Sequence, residues 1–483
     1  MNSSFDAVVI GSGLGGLCCG ALLANAGMKV LVLEQHTKIG GYAHNFKRRQ
    51  FTFESGIHSV PMAPDGVMMH ILKLLNIDSK ISVIEQPSMY SVNTPDGHFS
   101  IPSRADEIDE FFKKNSATSS DLKALKSDLD KFYNKICVPI FTSGNKYIPE
   151  DSNFISQFHN RSYLQHISSL CKTPAVSNLI FGQWPYSGIS EDEAGALFSF
   201  TMFMIHYKEG SHFCKGGFSS LAKALADKII EKGGNVLTRK IVNQCIVENN
   251  RITRIATTDG SVYETRIAVS NISPYKLHST LLMPQFQGKL LNRRLKNLTS
   301  SVSCVIVYLG MNPAFKSYFS DNISFWYNTS DFSTIYRNII TNKPKDQIDH
   351  LVTLCGVDEG NHPTLTLMNF TQKNYSSSWN SEKMIIAEKM LHKLEKLHPE
   401  INKYIELMEV GSPETFERYT GNTDGALYGF ENIKTMYGEA KLPITTHIPN
   451  LFQTGHWGKP GGGVWNVMVN ALNTSKLIFN SIH

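Results

Sequence analysis

The sequence predicts an α/β fold built from two domains threaded through one another. Three observations carry this. Residues 5–34 read as strand, turn, helix and strand; the double glycine Gly216-Gly217 opens a helix followed by a β-rich block; and the triple glycine Gly461-Gly462-Gly463 opens the final helix. If these glycine-bearing segments meet in space, each domain is discontinuous in sequence.

The elements follow in order. Phe5 to Ile10 is a nearly continuous apolar run, the pattern of a parallel strand covered on both faces. Gly11 breaks it. Leu14 to Ala26 is small and aliphatic, suited to close helix packing; Gly27 ends it, and Lys29 to Leu33 is a second buried strand. Residues 66–76 and 121–136 read as helices, the second with Leu122, Leu125, Leu129, Phe132 and Ile136 on one stripe. Leu221 to Lys232 is a helix closed by Gly233-Gly234. Strand-like runs at 241–248, 251–257 and 262–269 are separated by the turn signals Asn249-Asn250 and Asp259-Gly260. Ser381 to Leu397 is an amphipathic helix stopped before Pro399, Leu451 to Thr454 is a strand, and the last helix runs from about Val464 to Phe479.

Composition narrows the class. With 483 residues and 41% hydrophobic side chains, the chain is neither disordered, collagenous nor a disulfide-stapled miniprotein. At roughly 100–200 residues per domain it holds two or three units. A net charge of +5, with no basic run longer than Lys47-Arg48-Arg49, argues against nucleic acid as a partner. The 8 cysteines are scattered, with no C-x-x-C pair and no zinc spacing to histidine, so free thiols in a reducing, cytoplasmic setting are expected and no metal. The uncharged stretch Ala7 to Met28 carries glycines at 11, 13, 15, 16, 20 and 27 and has no basic region before it. It is read as neither a signal peptide nor a membrane span.

Gly11-Ser12-Gly13-Leu14-Gly15-Gly16 is G-x-G-x-x-G between a strand and a helix, with Glu34 at the end of the next strand. Gly11 permits the tight turn, Gly13 admits a pyrophosphate to the backbone, Gly16 lets helix and strand pack closely, and the helix N-terminus faces the negative charge. Glu34 can accept hydrogen bonds from ribose hydroxyls and would repel a 2′-phosphate. Two further features favour FAD over NAD. Gly40-Gly41 offers a second backbone turn near the pyrophosphate, and the triple glycine offers a positive helix end to a reduced flavin. No second G-x-G-x-x-G is present, so no nicotinamide site is visible.

These blocks carry a family resemblance. VVIGSGLGGLCCGALLANAGMKVLVLEQHTKIGGYAHNF (8–46), FTFESGIHSV (51–60), RIAVSNISP (266–274) and LFQTGHWGKPGGGV (451–464) resemble the FAD-dependent phytoene desaturase, carotenoid isomerase and retinol saturase group, relatives of amine oxidases. The resemblance implies a Rossmann-like, glutathione reductase-like FAD-binding domain from residues 1–75, 212–285 and 445–483. It implies an interleaved α+β substrate domain from 76–211 and 286–444. By similarity Gly11, Gly13, Gly15, Gly16, Glu34, Gly40, Gly41, Val247, Gly455, Gly462, Gly463 and Val464 would touch FAD, with Lys38 near the pyrophosphate or simply solvated. It also implies a lipophilic, polyene or isoprenoid substrate, with peripheral contact at a membrane surface and the electron acceptor left open.

No G-x-S-x-G elbow and no helical histidine pair support a hydrolase or metalloenzyme. In a flavin enzyme the protein supplies position, exclusion of water and sometimes one acid or base. His58 and Glu54 are the first candidates for proton donor or acceptor, the alternatives being a core histidine and a carboxylate that bonds the amides of a turn. His206 and Tyr207 are candidates for a substrate tunnel, with Phe198, Phe200, Met202, Phe203 and Met204 as its wall, a membrane-dipping patch or ordinary core. His456 and Trp457 precede the triple glycine and are expected near the flavin ring or in packing. The expected reaction is desaturation or saturation of carbon–carbon bonds, with hydride passing between substrate carbon and flavin N5. The alternatives are a non-redox isomerase that uses reduced FAD and an amine or amide oxidase.

Overall fold

A computed structural model of the chain describes residues 3–317, 321–344, 346–357, 362–436 and 438–482. Strand β1 (Ser3–Ile10) passes through the glycine turn into helix α1 (Leu14–Asn25), and β2 (Val30–Leu33) returns parallel to β1. Every residue of α1 from Leu14 to Ala24 is buried. That is why its sequence is apolar all round rather than along one stripe: helices Ser219–Glu231 and Val464–Ile482 cover what the sheet does not. Helix α2 (Ala196–Glu209) lies in the middle of the chain, β3 (Val262–Ser270) and β4 (Leu451–Gln453) complete the parallel set, and α3 (Val464–Ile482) ends it.

The first sheet has the order Val242–Glu248, Arg251–Thr257, β3, β1, β2, Asn235–Leu237, with β4 also paired to β3. Side chains alternate between its faces. Ala7, Val9, Val30 and Val32 enter the core shared with α1, whereas Val8, Ile10, Leu31 and Leu33 pack against Val242, Cys245, Ile255 and Leu281. Both faces are dry, so β1 and β2 read as unbroken apolar runs. The register aligns the strand ends: Ile10 pairs with Leu33 on one side and Ser270 on the other, and Ser270 pairs with Gln453. The next residues, Gly11, Glu34, Asn271 and Thr454-Gly455, therefore emerge side by side. This is the carboxyl edge where open α/β sheets bind ligands.

A second sheet of seven strands has the order Ile405–Gly411, Ser303–Met311, Pro363–Thr371, His350–Val357, Ile323–Tyr327, Ser88–Thr94, Gly97–Pro102. Its single parallel pairing, Ser91 opposite Ser324, joins a segment from the first half of the chain to one from the second. Helix Trp379–Leu397 covers one face through Trp379, Ile386, Met390 and Leu394; Cys304, Ile306, Tyr308 and Met368 on the other belong to the same core as α1. The expected membrane-dipping patch is not at the surface: Phe198, Phe200, Met202, Phe203 and Met204 on α2 are all buried. Among the described residues no helix is long and apolar enough to cross a membrane.

Candidate functional site

A cleft opens at the carboxyl edge of the first sheet and runs between the two sheets.

One end is built of bare backbone. Gly11, Gly13, Gly15, Gly40 and Gly41 line it. Gly13 is the N-cap of α1, no side chain caps the helix, and no acidic residue occupies its first turn, so its leading amides remain available to an anion. Gly40 has φ +110°, a left-handed conformation, and its amide donates to the Ser12 carbonyl at 2.9 Å, which brings the second glycine turn against the first. A Cβ at Gly13 would stand 2.8 Å from Asn271 Nδ2, and one at Gly41 would stand 3.2 Å from the Gly13 Cα. The cradle closes if either glycine gains a side chain. Glu34 lines the same end; its Oε2 accepts from the Ser12 amide (2.8 Å) and hydroxyl (2.6 Å), and its Oε1 accepts from the His36 amide (2.8 Å). A carboxylate offers about four lone-pair sites, so Glu34 is rigidly held with capacity left for a sugar hydroxyl. These features fit the pyrophosphate and ribose of FAD. Lys38 also lines the cleft, exposed, with Nζ donating to the Asn45 carbonyl at 2.8 Å.

The other end has a different chemistry. Gly455, His456, Gly463, Val464 and Trp465 form one wall, from the loop between β4 and α3 and the start of α3; Ile57, His58, Tyr186, Met202, His206, Met368, Leu427 and Tyr428 form the rest. The ionised side chains of the cleft are Glu34, Lys38, Lys240 and Lys276, and all belong to the nucleotide end. Lys240 is tied there by its amide to the Glu34 carbonyl (2.8 Å) and Lys276 by its Nζ to Gln35 Oε1 (3.2 Å).

Three histidines face the charge-free end. The rings of His58, Tyr186 and His206 stack in a column, with centroid spacings of 5.7 and 5.5 Å and interplanar angles of 16° and 13°. Burial pulls His58, His206 and His456 down to about 4, so each is a neutral imidazole at pH 7. His206 Nδ1 lies 2.8 Å from the Met202 carbonyl; a carbonyl only accepts, so Nδ1 carries the proton and Nε2 keeps its lone pair. His58 Nδ1 and His456 Nε2 are buried without a hydrogen-bond partner among the described residues.

Glu54, Tyr207, Val247, Gly16, Gly462 and Trp457 lie outside the cleft lining. Glu54 caps a turn instead of facing the ring: its Oε2 accepts from the Phe218 amide at 3.2 Å, ahead of helix Ser219–Glu231, and burial raises it to about 7. Tyr207 turns away because neighbours on a helix point about 100° apart; its hydroxyl donates to Asp109 Oδ1 at 2.7 Å, whereas His206 faces the cleft. Val247 packs in the second core, five residues along the strand from Val242, which lines the cleft in its place. Gly16 sits beneath the turn, where a Cβ would meet the Gly11 carbonyl, and Gly462 packs on the Tyr428 backbone. Trp457 is a packing residue, its Nε1 donating to Asn422 Oδ1 at 3.0 Å.

Asn271, Tyr42, Tyr186 and Tyr428 line the cleft without having been read from the sequence. Asn271 had a legible signal, since it follows a buried parallel strand as Gly11 follows β1. Tyr42 directly follows Gly40-Gly41, whereas Tyr186 and Tyr428 had no signal, because segments distant in the chain bring them in.

Fold and site together define a flavoprotein with a dinucleotide-binding sheet and a separate sheet over the flavin. The model of the family described as "Flavin containing amine oxidoreductase" matches residues 14–462, and the chain belongs to that family; it is an FAD-dependent oxidoreductase. It is similar to the chloroplastic prolycopene isomerase of Daucus carota, 26% identical over 499 residues, covering 95% of this chain and 77% of that protein. It is 23% identical to the all-trans-retinol 13,14-reductase of Danio rerio, covering 93% and 82%. It is 22% identical to a 4,4'-diapophytoene desaturase of Methylomonas sp, covering 98% and 94%. Among solved structures, a putrescine oxidase variant matches with a TM-score of 0.67 at 11% identity, covering 99% of this chain and 100% of that one. An oxidoreductase from Methanosarcina mazei matches at 0.63 and 18%, covering 97% and 99%.

Two outcomes are expected. Gly13→Val should yield folded protein without the visible flavin absorbance; full FAD occupancy would remove the glycine cradle from the site. Glu54→Gln should keep FAD and activity while changing the pH dependence of stability. The folded-state value, about 7, lies above the ordinary 4.5, so the native state binds this proton more tightly than the unfolded chain. The stabilisation is complete below 4.5 and is lost as pH rises through about 7. Thermal unfolding of Glu54→Gln should therefore lose less stability than wild type between pH 5 and pH 8, and an unchanged profile would contradict this assignment.

Proposed function

We propose that the protein desaturates or saturates carbon–carbon bonds of a lipophilic polyene or isoprenoid. The observation that carries this reading is the confinement of every ionised side chain of the cleft to its nucleotide end. A hydrocarbon needs only an apolar, water-free slot. A protonated amine would need a carboxylate or an equivalent acceptor to offset its desolvation, so the charge-free end disfavours the amine oxidase alternative. The relatives named as a prolycopene isomerase, a retinol reductase and a diapophytoene desaturase support the same substrate class.

Bound FAD supplies the two-electron, hydride-level chemistry. The chain's own residues position the substrate and handle protons. Tyr186, Met202, Met368, Leu427 and Tyr428 wall the slot and exclude water. His58, neutral and with an unpaired Nδ1, is the group we assign to receive or return a proton at the substrate, and the stack on Tyr186 fixes its ring plane. His456, beside Gly455 on the opposite wall, is the second unpaired imidazole.

Anaerobic titration tests the reading. Retinoid, carotenoid or isoprenoid polyenes should bleach the oxidised flavin or reoxidise the reduced flavin, and polar amines should do neither. Peroxide release with amines, or geometric isomerisation of polyenes without net redox change, would overturn it. His58→Gln should retain FAD and lose about 10²-fold or more in kcat.

Membrane contact fits the segment Met283 to Lys296. Leu290 is 81% exposed and Met283 44% exposed, flanked by exposed Lys289, Arg293 and Lys296 on the short helix Lys289–Lys296, a basic, apolar-tipped surface suited to anionic lipid. The protein should co-sediment with anionic vesicles and Leu290→Asp should release it; equal sedimentation of both would exclude this face.

A further inference from the structure

A second cavity begins one turn of α2 before Met202. Trp465 lines both it and the flavin cleft, so its indole is a shared wall. The second cavity is largely apolar, with Ile140, Phe154, Phe158, Leu197, Phe198 and Ile444 among its lining. Its charged residues are unevenly matched.

Four lysines reach this lining, and three of them meet a carboxylate. Lys135 pairs with Asp151 at 2.9 Å, Lys434 with Glu193 at 3.3 Å and Lys459 with Glu150 at 2.7 Å. Lys441 does not. Its Nζ donates to Asn432 Oδ1 at 2.6 Å and to the Pro460 carbonyl, and it stands 4.9 Å from the Phe198 ring centroid. Both acceptors are neutral. Burial pulls Lys441 down to about 7, with Glu150 partly opposing and Lys459 reinforcing the fall. Two more polar atoms of this lining are buried without a hydrogen-bond partner among the described residues: Trp465 Nε1, on a side chain 1% exposed, and Asn473 Oδ1. An enclosed ammonium whose only acceptors are neutral lacks the counter-charge that offsets its desolvation. An oxygen anion delivered on an apolar chain supplies it, and the apolar lining takes the chain.

We infer that the second cavity is a binding site for an aliphatic or terpenoid carboxylic acid, held by its carboxylate on Lys441 and by its chain along Phe154, Phe158 and Phe198. The site is separate from the reaction proposed above and stands whichever carbon–carbon chemistry the flavin performs. Nothing covalent is involved: a carboxylate pairs with an ammonium and completes its third N–H bond.

The test uses FAD-loaded protein with laurate and 1-dodecanol, ligands of one chain length that differ in the head. Titration calorimetry should show laurate binding at least about tenfold tighter than dodecanol. Lys441→Met should remove that difference while leaving flavin absorbance and dodecanol binding unchanged, and Lys441→Arg should restore it. The charged groups that face Lys441 are Glu150 and Lys459, with Arg294 donating to its backbone carbonyl and Lys434 and Lys135 sharing the lining. Comparison with Lys441→Met separates the response of Lys441 from theirs. Laurate affinity should be level between about pH 6, where the laurate head is ionised, and pH 7, and should fall about tenfold per unit above that, with no such fall in Lys441→Met. Equal affinities for acid and alcohol, or laurate binding undiminished in Lys441→Met, would overturn the inference. So would laurate displaced by a polyene that titrates the flavin, since that would place it in the cleft.

Discussion

The carboxamide of Asn271 is the contact around which the flavin end of the molecule is organised. It projects from the end of β3 into a space bounded by Gly13, Gly15, Gly16 and Gly455; a Cβ at Gly15 would stand 2.9 Å from both Asn271 Oδ1 and the Gly455 Cα. Three separate stretches of chain thus share one small volume, and glycine is the side chain that volume admits at each neighbouring position. The parallel register sets this up by ending β1, β2, β3 and β4 side by side. The approach of α1 to the loop after β4 follows from it. So does the placement of the uncapped α1 N-terminus opposite the second glycine turn, and of His456 at the far end of the cleft.

From that edge the cleft divides by charge. Toward the nucleotide, Glu34 and three lysines meet a ligand that is itself ionic. Toward the substrate, burial removes ionisation: His58, His206 and His456 are held neutral and no carboxylate or ammonium lines the wall. The division has one physical origin. The nucleotide end is reached by loops that remain partly in water, whereas the other end is enclosed by a second sheet and by α2, where an unpaired charge costs several kcal/mol. A slot of this kind rejects ions by default. Under the proposed function, selectivity for a hydrocarbon would need no dedicated recognition group.

Much of the first sheet was legible because its signals are local. A strand buried on both faces, a glycine turn, a uniformly apolar helix and an acidic residue at the next strand end all lie within residues 5–34, and β1, α1 and β2 match within a residue or two. The glycines of the cradle were legible for the same reason. Position around an element was less so. Tyr207 and His206 are adjacent, and only the packing of α2 decides which of them faces the cleft; Glu54 and His58 lie four residues apart, and one closes a helix start while the other stacks on Tyr186. Val247 lies near the far end of its strand, whereas the end nearest Glu34 reaches the cleft through Val242. Tyr186 and Tyr428 come from segments separated by more than half the chain, meet through the Tyr428 hydroxyl and the Pro185 carbonyl at 2.6 Å, and leave no periodic trace.

Helix α2 shows how one run of sequence serves two cavities. Phe198, Met202 and His206 recur every four residues and so share one face; Phe198 meets the second cavity, and Met202 and His206 meet the cleft. Trp465 completes the partition from α3, and Asn466, next in sequence, donates through Nδ2 to the Gly462 carbonyl at 2.6 Å and to the Met202 sulfur at 3.2 Å. The partition therefore leans on the triple-glycine turn that also lines the cleft.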